Sequence, residues 1–158
     1  MADIKKTNVM RILEQHDIPY QEHHYSKDDV KKGIDVAQKT EIDPNQPFKT
    51  LVTVGKSKEH YVFVIPVNKE LDLKKAAKAV DEKSIQMIKE KELLPLTGYR
   101  HGGCSPIGMK KSFRTTFHSS AQEYPTILFS AGKVGVSVEV SPTDVMKVLE
   151  IQFMDVTK

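Results

Sequence analysis

Two short apolar runs, Phe48–Val54 and Tyr61–Val67, constrain this chain more than any other feature. Both are rich in β-branched and aromatic residues. Only the polar segment Gly55-Lys56-Ser57-Lys58-Glu59 stands between their clearest portions, so the pair predicts an antiparallel hairpin. Upstream, Val9, Ile12 and Leu13 fall on one face of a helix predicted over Asn8–Gln15 with Thr7 as its N-cap. Ile18-Pro19 then ends the helix, and Tyr20–Tyr25 reads as a short strand. A weaker helix is predicted over Val36–Lys39. Downstream, Asp72 caps a helix over Leu73–Val80, Ile85–Ile88 reads as a strand, and a helical turn over Lys89–Leu94 is expected to stop at Pro95. Further strands are predicted near Arg114–His118, Thr126–Ser130 and Val136–Val140, with Ala131–Gly135 as the turn between the last two. Ser141-Pro142-Thr143-Asp144 opens a helix that Val145–Glu150 continues, and Ile151–Val156 forms a last strand or tail. Many short strands punctuated by short helices, without regular βαβ alternation, predict the α+β class. No repeat, low-complexity tract or linker divides the sequence, so residues 1–158 are expected to form one domain.

Composition narrows the function classes. Hydrophobic residues at 39% and charged residues at 28% are the balance of a soluble globular protein. The longest nearly unbroken apolar run, Tyr61–Val67, is too short to cross a bilayer, and the first residues lack the apolar core of a signal peptide. A single cysteine, Cys104, excludes an intramolecular disulfide framework and suits a reducing cytosol, so a cytoplasmic location is expected and no membrane partner. A net charge of +3 is too mild for a dedicated nucleic-acid binder, and no DNA partner is expected. It does permit contact with a few phosphates of a polyanionic substrate.

Lys49 is the first candidate for chemistry, because it interrupts a strand whose neighbours are largely apolar. Such a lysine snorkels to water, pairs with an acid, or presents its ammonium to a carbonyl, phosphate or developing oxyanion in a cleft. The second candidate is the run Gly98-Tyr99-Arg100-His101-Gly102-Gly103-Cys104-Ser105-Pro106-Ile107-Gly108. Paired glycines let backbone N–H groups converge on an acceptor, although a tight structural loop has the same composition. Cys104 with His101 three residues earlier raises a thiol nucleophile, against the commoner role of a lone cysteine as a small buried hydrophobe. His23 and His24 are adjacent on a predicted strand and so face opposite sides, and His16, His60, His101 and His118 show no ligand spacing. No metal site and no cofactor are expected. Neither a Walker pattern nor a Gly-x-Ser-x-Gly elbow is present.

Four segments taken together carry a resemblance: Pro47-Phe48-Lys49-Thr50-Leu51; Leu71-Asp72-Leu73-Lys74-Lys75-Ala76-Ala77-Lys78; Thr97-Gly98-Tyr99 with Gly102-Gly103-Cys104-Ser105-Pro106-Ile107-Gly108-Met109-Lys110-Lys111; and Ser130-Ala131-Gly132-Lys133-Val134-Gly135 leading into Val138-Glu139-Val140. In order and spacing the chain resembles the YbaK family, free-standing relatives of the prolyl-tRNA synthetase editing domain. The resemblance implies a mixed, strongly curved β-sheet or β-barrel surrounded by short helices. It also implies an activity, the deacylation of misacylated tRNA, particularly cysteine attached to the proline tRNA. Within that pattern Lys49 matches the family's essential lysine. Tyr25, Gly98, Gly102 and Ser130 fall at positions that line its pocket, with Thr50, Gly103 and Ser137 beside them. The chain departs from the pattern at Ser137, where some relatives carry an acid, and at Lys31-Lys32, where an aromatic residue is expected. At Cys104, members commonly have an aliphatic residue, which argues against a thiol nucleophile shared by the family.

The implied partners are tRNA, entering by its 3′ end, and prolyl-tRNA synthetase. Lys110, Lys111 and Arg114 flank the glycine loop as tRNA contacts, or else form a solvated basic edge. Because an aminoacyl ester is already activated, positioning by Lys49 and polarisation by the glycine-loop N–H groups suffice. The attacking group is then the substrate's own cysteine thiol, or a water held by the terminal ribose. The competing class is a non-catalytic module that binds a nucleotide or aminoacyl-tRNA. A thiol enzyme using Cys104 is a third.

Overall fold

A computed structural model describes residues 6–24 and 43–158 of the chain. In chain order it contains helix α1 (Asn8–Gln15), strands β1 (Gln21–His24), β2 (Phe48–Gly55) and β3 (His60–Pro66), and helix α2 (Leu73–Ala79). Next come strand β4 (Ile85–Met87), helix α3 (Glu90–Thr97), strand β5 (Arg114–His118) and a 3-10 turn at Ser119–Glu123. The chain ends with β6 (Ile127–Lys133), β7 (Val136–Val140), the single-turn helix α4 (Pro142–Val145) and β8 (Ile151–Met154). The fold is α+β, as the sequence predicts. Tyr25 and the helix expected over Val36–Lys39 lie outside the described residues.

The strands divide into two hydrogen-bonded sheets, β1-β7-β6 and β4-β2-β3-β5-β8. The predicted hairpin is the centre of the larger sheet, with β2 and β3 antiparallel from Phe48 opposite Pro66 to Val54 opposite His60. Beyond it β5 and β8 add in parallel, joined by connections that the sequence pattern did not reveal. An isolated parallel bridge between Pro47 and Leu128 links the two sheets. Alternation along the strands then sorts side chains into two cores. Phe48, Val52, Val62, Val64 and Phe117 meet Ile127, Phe129, Val136, Val138 and Val140 in the larger core, which Val9, Met10 and Leu13 of α1 close. On the other face of the hairpin, Tyr61, Phe63 and Ile65 pack against Ala76, Ala77 and Val80 of α2 and its end. Two predicted caps are present: the Thr7 hydroxyl accepts from Met10 N at 3.2 Å, and Asp72 Oδ1 accepts from Lys74 N and Lys75 N at 3.0 Å.

Three local expectations are corrected. Helix α3 does not stop at Pro95 but runs through it to Thr97, and Gly98 in the left-handed region (φ 84°) ends it. Pro95 removes the hydrogen bond to Lys91, whose exposed position lets water take the orphaned carbonyl, so the helix survives a residue that ordinarily breaks one. The turn after β6 is shorter than Ala131–Gly135, because β6 continues to Lys133. The register shifts between Ser130 opposite Ser137 and Lys133 opposite Val136, absorbing the extra residues as a bulge at Ala131-Gly132. Helix α4 is only Pro142–Val145, and Ser141 occupies its N-cap without a side-chain hydrogen bond.

Candidate active site

The bridge between Pro47 and Leu128 sets the start of β2, which carries Lys49, beside β6. Leu128 N–H donates to the Gln46 carbonyl at 3.1 Å, fixing β6 beside the start of β2. Lys49 and Ser130 each stand two residues beyond the bridge on their own strands. Ser130 is opposite Ser137 on β7, and Ser137 is opposite His23 on β1. Ser130, Ser137 and His23 therefore form a row across β6, β7 and β1 on the face turned away from the larger core, and the bridge brings the start of β2 alongside β6. Thr50 alternates to the opposite face, where its hydroxyl is buried without a hydrogen-bond partner among the described residues.

The glycine loop is clamped onto the same support. Its entry is fixed by Thr97, whose hydroxyl donates to Leu93 O at 2.7 Å and accepts from Tyr99 N at 3.0 Å. The Tyr99 hydroxyl donates to the Ile107 carbonyl and closes the loop from the other side. Gly103 N donates to Arg100 O at 2.9 Å, and Lys110 N donates to Thr97 O at 3.0 Å. Glycine is required where the loop meets β6 and its turn. A Cβ at Gly103 would lie 3.1 Å from Val134 N and 3.3 Å from Lys133 C, and one at Gly132 would lie 2.9 Å from the Tyr99 ring. Ser130 Oγ accepts from Gly132 N at 3.0 Å, so the serine of the row is tied to the bulge on which the loop rests. The loop and the row are therefore built on one rigid support. A shallow groove beside the loop is lined by Lys91, Leu94, Tyr99, Arg100 and His101.

The basic residues separate. The aliphatic stem of Lys110 lies over Gly98, and Lys111 is exposed next to it. The Arg114 guanidinium is turned instead to the C-terminal end of α2, where it reaches Ala79 O at 3.4 Å, Val80 O at 3.5 Å and Gln152 Oε1 at 3.4 Å. Cys104 is 8% exposed, and burial pushes its thiol up to about 12, against a small opposing pull from a hydrogen bond to Thr97. His101 beside it is exposed. A thiol held protonated at neutral pH is not a nucleophile. Among the described residues, no group of three or more His, Cys, Asp or Glu side chains could hold a metal ion.

Sequence reasoning missed one constellation on this face. His23, weighed only as a metal ligand, pairs through Nε2 with Glu139 Oε1 at 2.8 Å. The signal was present in β7, where Ser137 and Glu139 alternate with Val136, Val138 and Val140: a strand with one apolar face turns its polar face to the row.

The profile of the family described as the aminoacyl-tRNA editing domain matches residues 27–148, a span that contains Lys49, the glycine loop, Ser130 and Ser137. This chain belongs to the aminoacyl-tRNA editing domain family. A family relative from Enterococcus faecalis, named as the candidate Cys-tRNA(Pro)/Cys-tRNA(Cys) deacylase EbsC, is 46% identical over 154 residues, 97% of this chain and 94% of that protein. Two solved structures share the editing-domain fold at low identity. One, described as a candidate trans-editing enzyme for prolyl tRNA synthetase, superposes with a TM-score of 0.84 at 20% identity, covering 99% of both chains. The other, a hypothetical protein, gives a TM-score of 0.83 at 18% identity, covering 95% of this chain and 99% of its own.

Proposed function

We propose that this editing-domain protein deacylates misacylated tRNA in trans, with cysteine on tRNA(Pro) as its substrate. The observation that carries the reading is the start of β2, with Lys49, bridged to β6 beside a clamped glycine loop, with the one thiol buried and protonated. The deacylase name of the relative supports the same substrate. Lys49 anchors the terminal adenosine's phosphate or the ester region, and N–H groups near Gly102 and Gly103 polarise the ester carbonyl. The cysteine side chain of the substrate attacks its own carbonyl. A sulfur–carbon bond forms, the carbon–oxygen bond to the ribose breaks, and the thiol proton passes to the leaving 3′ oxygen, giving a thiolactone and free tRNA. A pocket alone separates such small amino acids poorly, so selection by the thiol's reactivity spares the proline ester. Lys110 and Lys111 beside the loop contact the acceptor end. Two exposed lysines hold tRNA weakly, and prolyl-tRNA synthetase in the cytoplasm is the partner that presents it. We assign the whole chain, residues 1–158, to one such domain.

The test compares deacylation of Cys-tRNA(Pro), Pro-tRNA(Pro), Ala-tRNA(Pro) and S-methylated Cys-tRNA(Pro) by wild type and Lys49→Ala. Rapid release of cysteine alone, lost with Lys49→Ala and on S-methylation, is the expected outcome. Equal hydrolysis of the S-methylated ester would sink the thiol route. No release from any substrate would make the protein a binding module.

A further inference from the structure

Glu139 is the hub of a chain of polar side chains that leads to the start of β2. One carboxylate oxygen meets His23 Nε2 at 2.8 Å, and the other accepts the Thr126 hydroxyl at 2.6 Å. Thr126 Oγ1 in turn accepts from Gln46 Nε2 at 3.0 Å, and the same nitrogen donates to the Thr126 carbonyl at 2.8 Å. The Gln46 carbonyl then accepts Leu128 N–H at the bridge between the sheets. This chain ties β1, β7 and the start of β6 to the residue three before Lys49.

The bridge it supports is isolated, so the backbone of β2 and β6 does not fix their relative position through a continuous ladder. Side chains must supply the rest. Those of His23 and Glu139 are only 16% and 20% exposed, which shields their bonds from water. Burial alone would raise the Glu139 carboxyl, but hydrogen bonds from Thr126 and His23 more than offset it and hold it below its ordinary value. Stability alone does not call for such an arrangement, because well-packed apolar residues commonly serve at least as well as buried charged groups. What a directional network adds is a defined geometry.

We propose that Thr126, held by Glu139 and acting through Gln46, is a positioning residue for Lys49 that fixes the start of β2 against β6. The proposal rests on the reading of Lys49 as the group that anchors the substrate. Its test is a double-mutant cycle. Thr126→Val, which keeps the shape and removes the hydroxyl, and Thr126→Ser, which restores it, are each placed in wild type and in Lys49→Ala. Deacylation of Cys-tRNA(Pro) is measured in single turnovers with excess enzyme, which keeps slow variants measurable. Thr126→Val is expected to lower the maximal rate by roughly tenfold or more while half-saturation stays within about twofold, and Thr126→Ser to recover most of the rate. In the Lys49→Ala background, Thr126→Val should change the rate by less than about twofold. Gln46→Leu cuts the same chain at its other end, gives the same pattern, and replaces Thr126→Val if that variant fails to fold. An equal fractional loss in both backgrounds, or a wild-type rate for the folded variant, overturns the positioning role while leaving the deacylase assignment intact. A wild-type rate for Lys49→Ala alone overturns the role of the lysine, and the positioning role with it, before Thr126 is touched.

Discussion

A thiol becomes a nucleophile only as its thiolate, and that requirement decides the role of Cys104. The residue is packed with Ile107 and the α1 side chains of the larger core, and burial pushes its thiol up to about 12. At neutral pH the thiolate fraction is negligible, so Cys104 acts as a small apolar side chain. Cys104→Ala is accordingly expected to deacylate Cys-tRNA(Pro) within about twofold of wild type, at a stability cost of about 1 kcal/mol from the lost sulfur contacts. Loss of activity in a folded Cys104→Ala protein would restore the thiol-enzyme reading. Lys49 is the contrasting case. From the sequence its snorkelling and ligand-facing roles were open, and its strand position was legible only as an interruption of an apolar run.

At the scale of elements, the glycine loop lies against the β6–β7 turn. A Cβ at Gly103 would stand closer to the backbone of Val134 and Lys133 than side chains ordinarily come. Adding a methyl group there pushes against main chain that cannot rotate away, so the loop itself must move by a few tenths of an ångström. Gly103→Ala is expected to cost about 1–3 kcal/mol of stability by overpacking and to lower the deacylation rate by more than about tenfold. Thermal unfolding and single-turnover rates check the two effects separately. A folded variant with unchanged rate would show that the loop's N–H groups do not align the ester. The run of glycines was visible in the sequence, but their reasons were not. Gly98 ends α3 with positive φ, whereas Gly103 serves close approach to a turn some thirty residues later.

For the whole molecule, the C-terminal strand β8 closes the larger sheet, and His118 secures the last residues of the chain. Its Nδ1 accepts Val156 N–H at 3.2 Å, and Asp72 N donates to the Val156 carbonyl at 2.8 Å, so α2, β5 and the chain end are joined. Burial holds the His118 imidazole below its ordinary value, although Asp155 pulls the other way and Lys75 reinforces the depression. A histidine with a depressed folded value binds its proton more readily when unfolded. Stability from this site is therefore complete above the ordinary histidine range, near pH 6.5, and is lost as pH falls through the folded value. Wild type should lose thermal stability between about pH 7 and pH 5. His118→Asn, which offers a non-titrating acceptor to Val156, should lose less over the same interval. Parallel pH–melting curves for the two proteins would sink this account.

The sequence by itself determined the local elements whose causes are local: the hairpin from its apolar runs, α1 and α2 from their caps and periodicity, and the glycine loop from its composition. Together with the four family segments, these were enough to place the chain among the editing domains. It erred at Pro95, which the helix passes to end instead at Gly98. Tertiary structure alone decided which residues meet. The register of β7 brings Ser130, Ser137 and His23 into one row, although they span more than a hundred positions in the chain, and the bridge from Pro47 to Leu128 sets the start of β2 beside β6. It also buried the Thr50 hydroxyl on the face opposite Lys49 and directed Arg114 to the end of α2. The physical reason is that strand pairing between distant segments depends on how two cores close around them, and no local propensity encodes that choice.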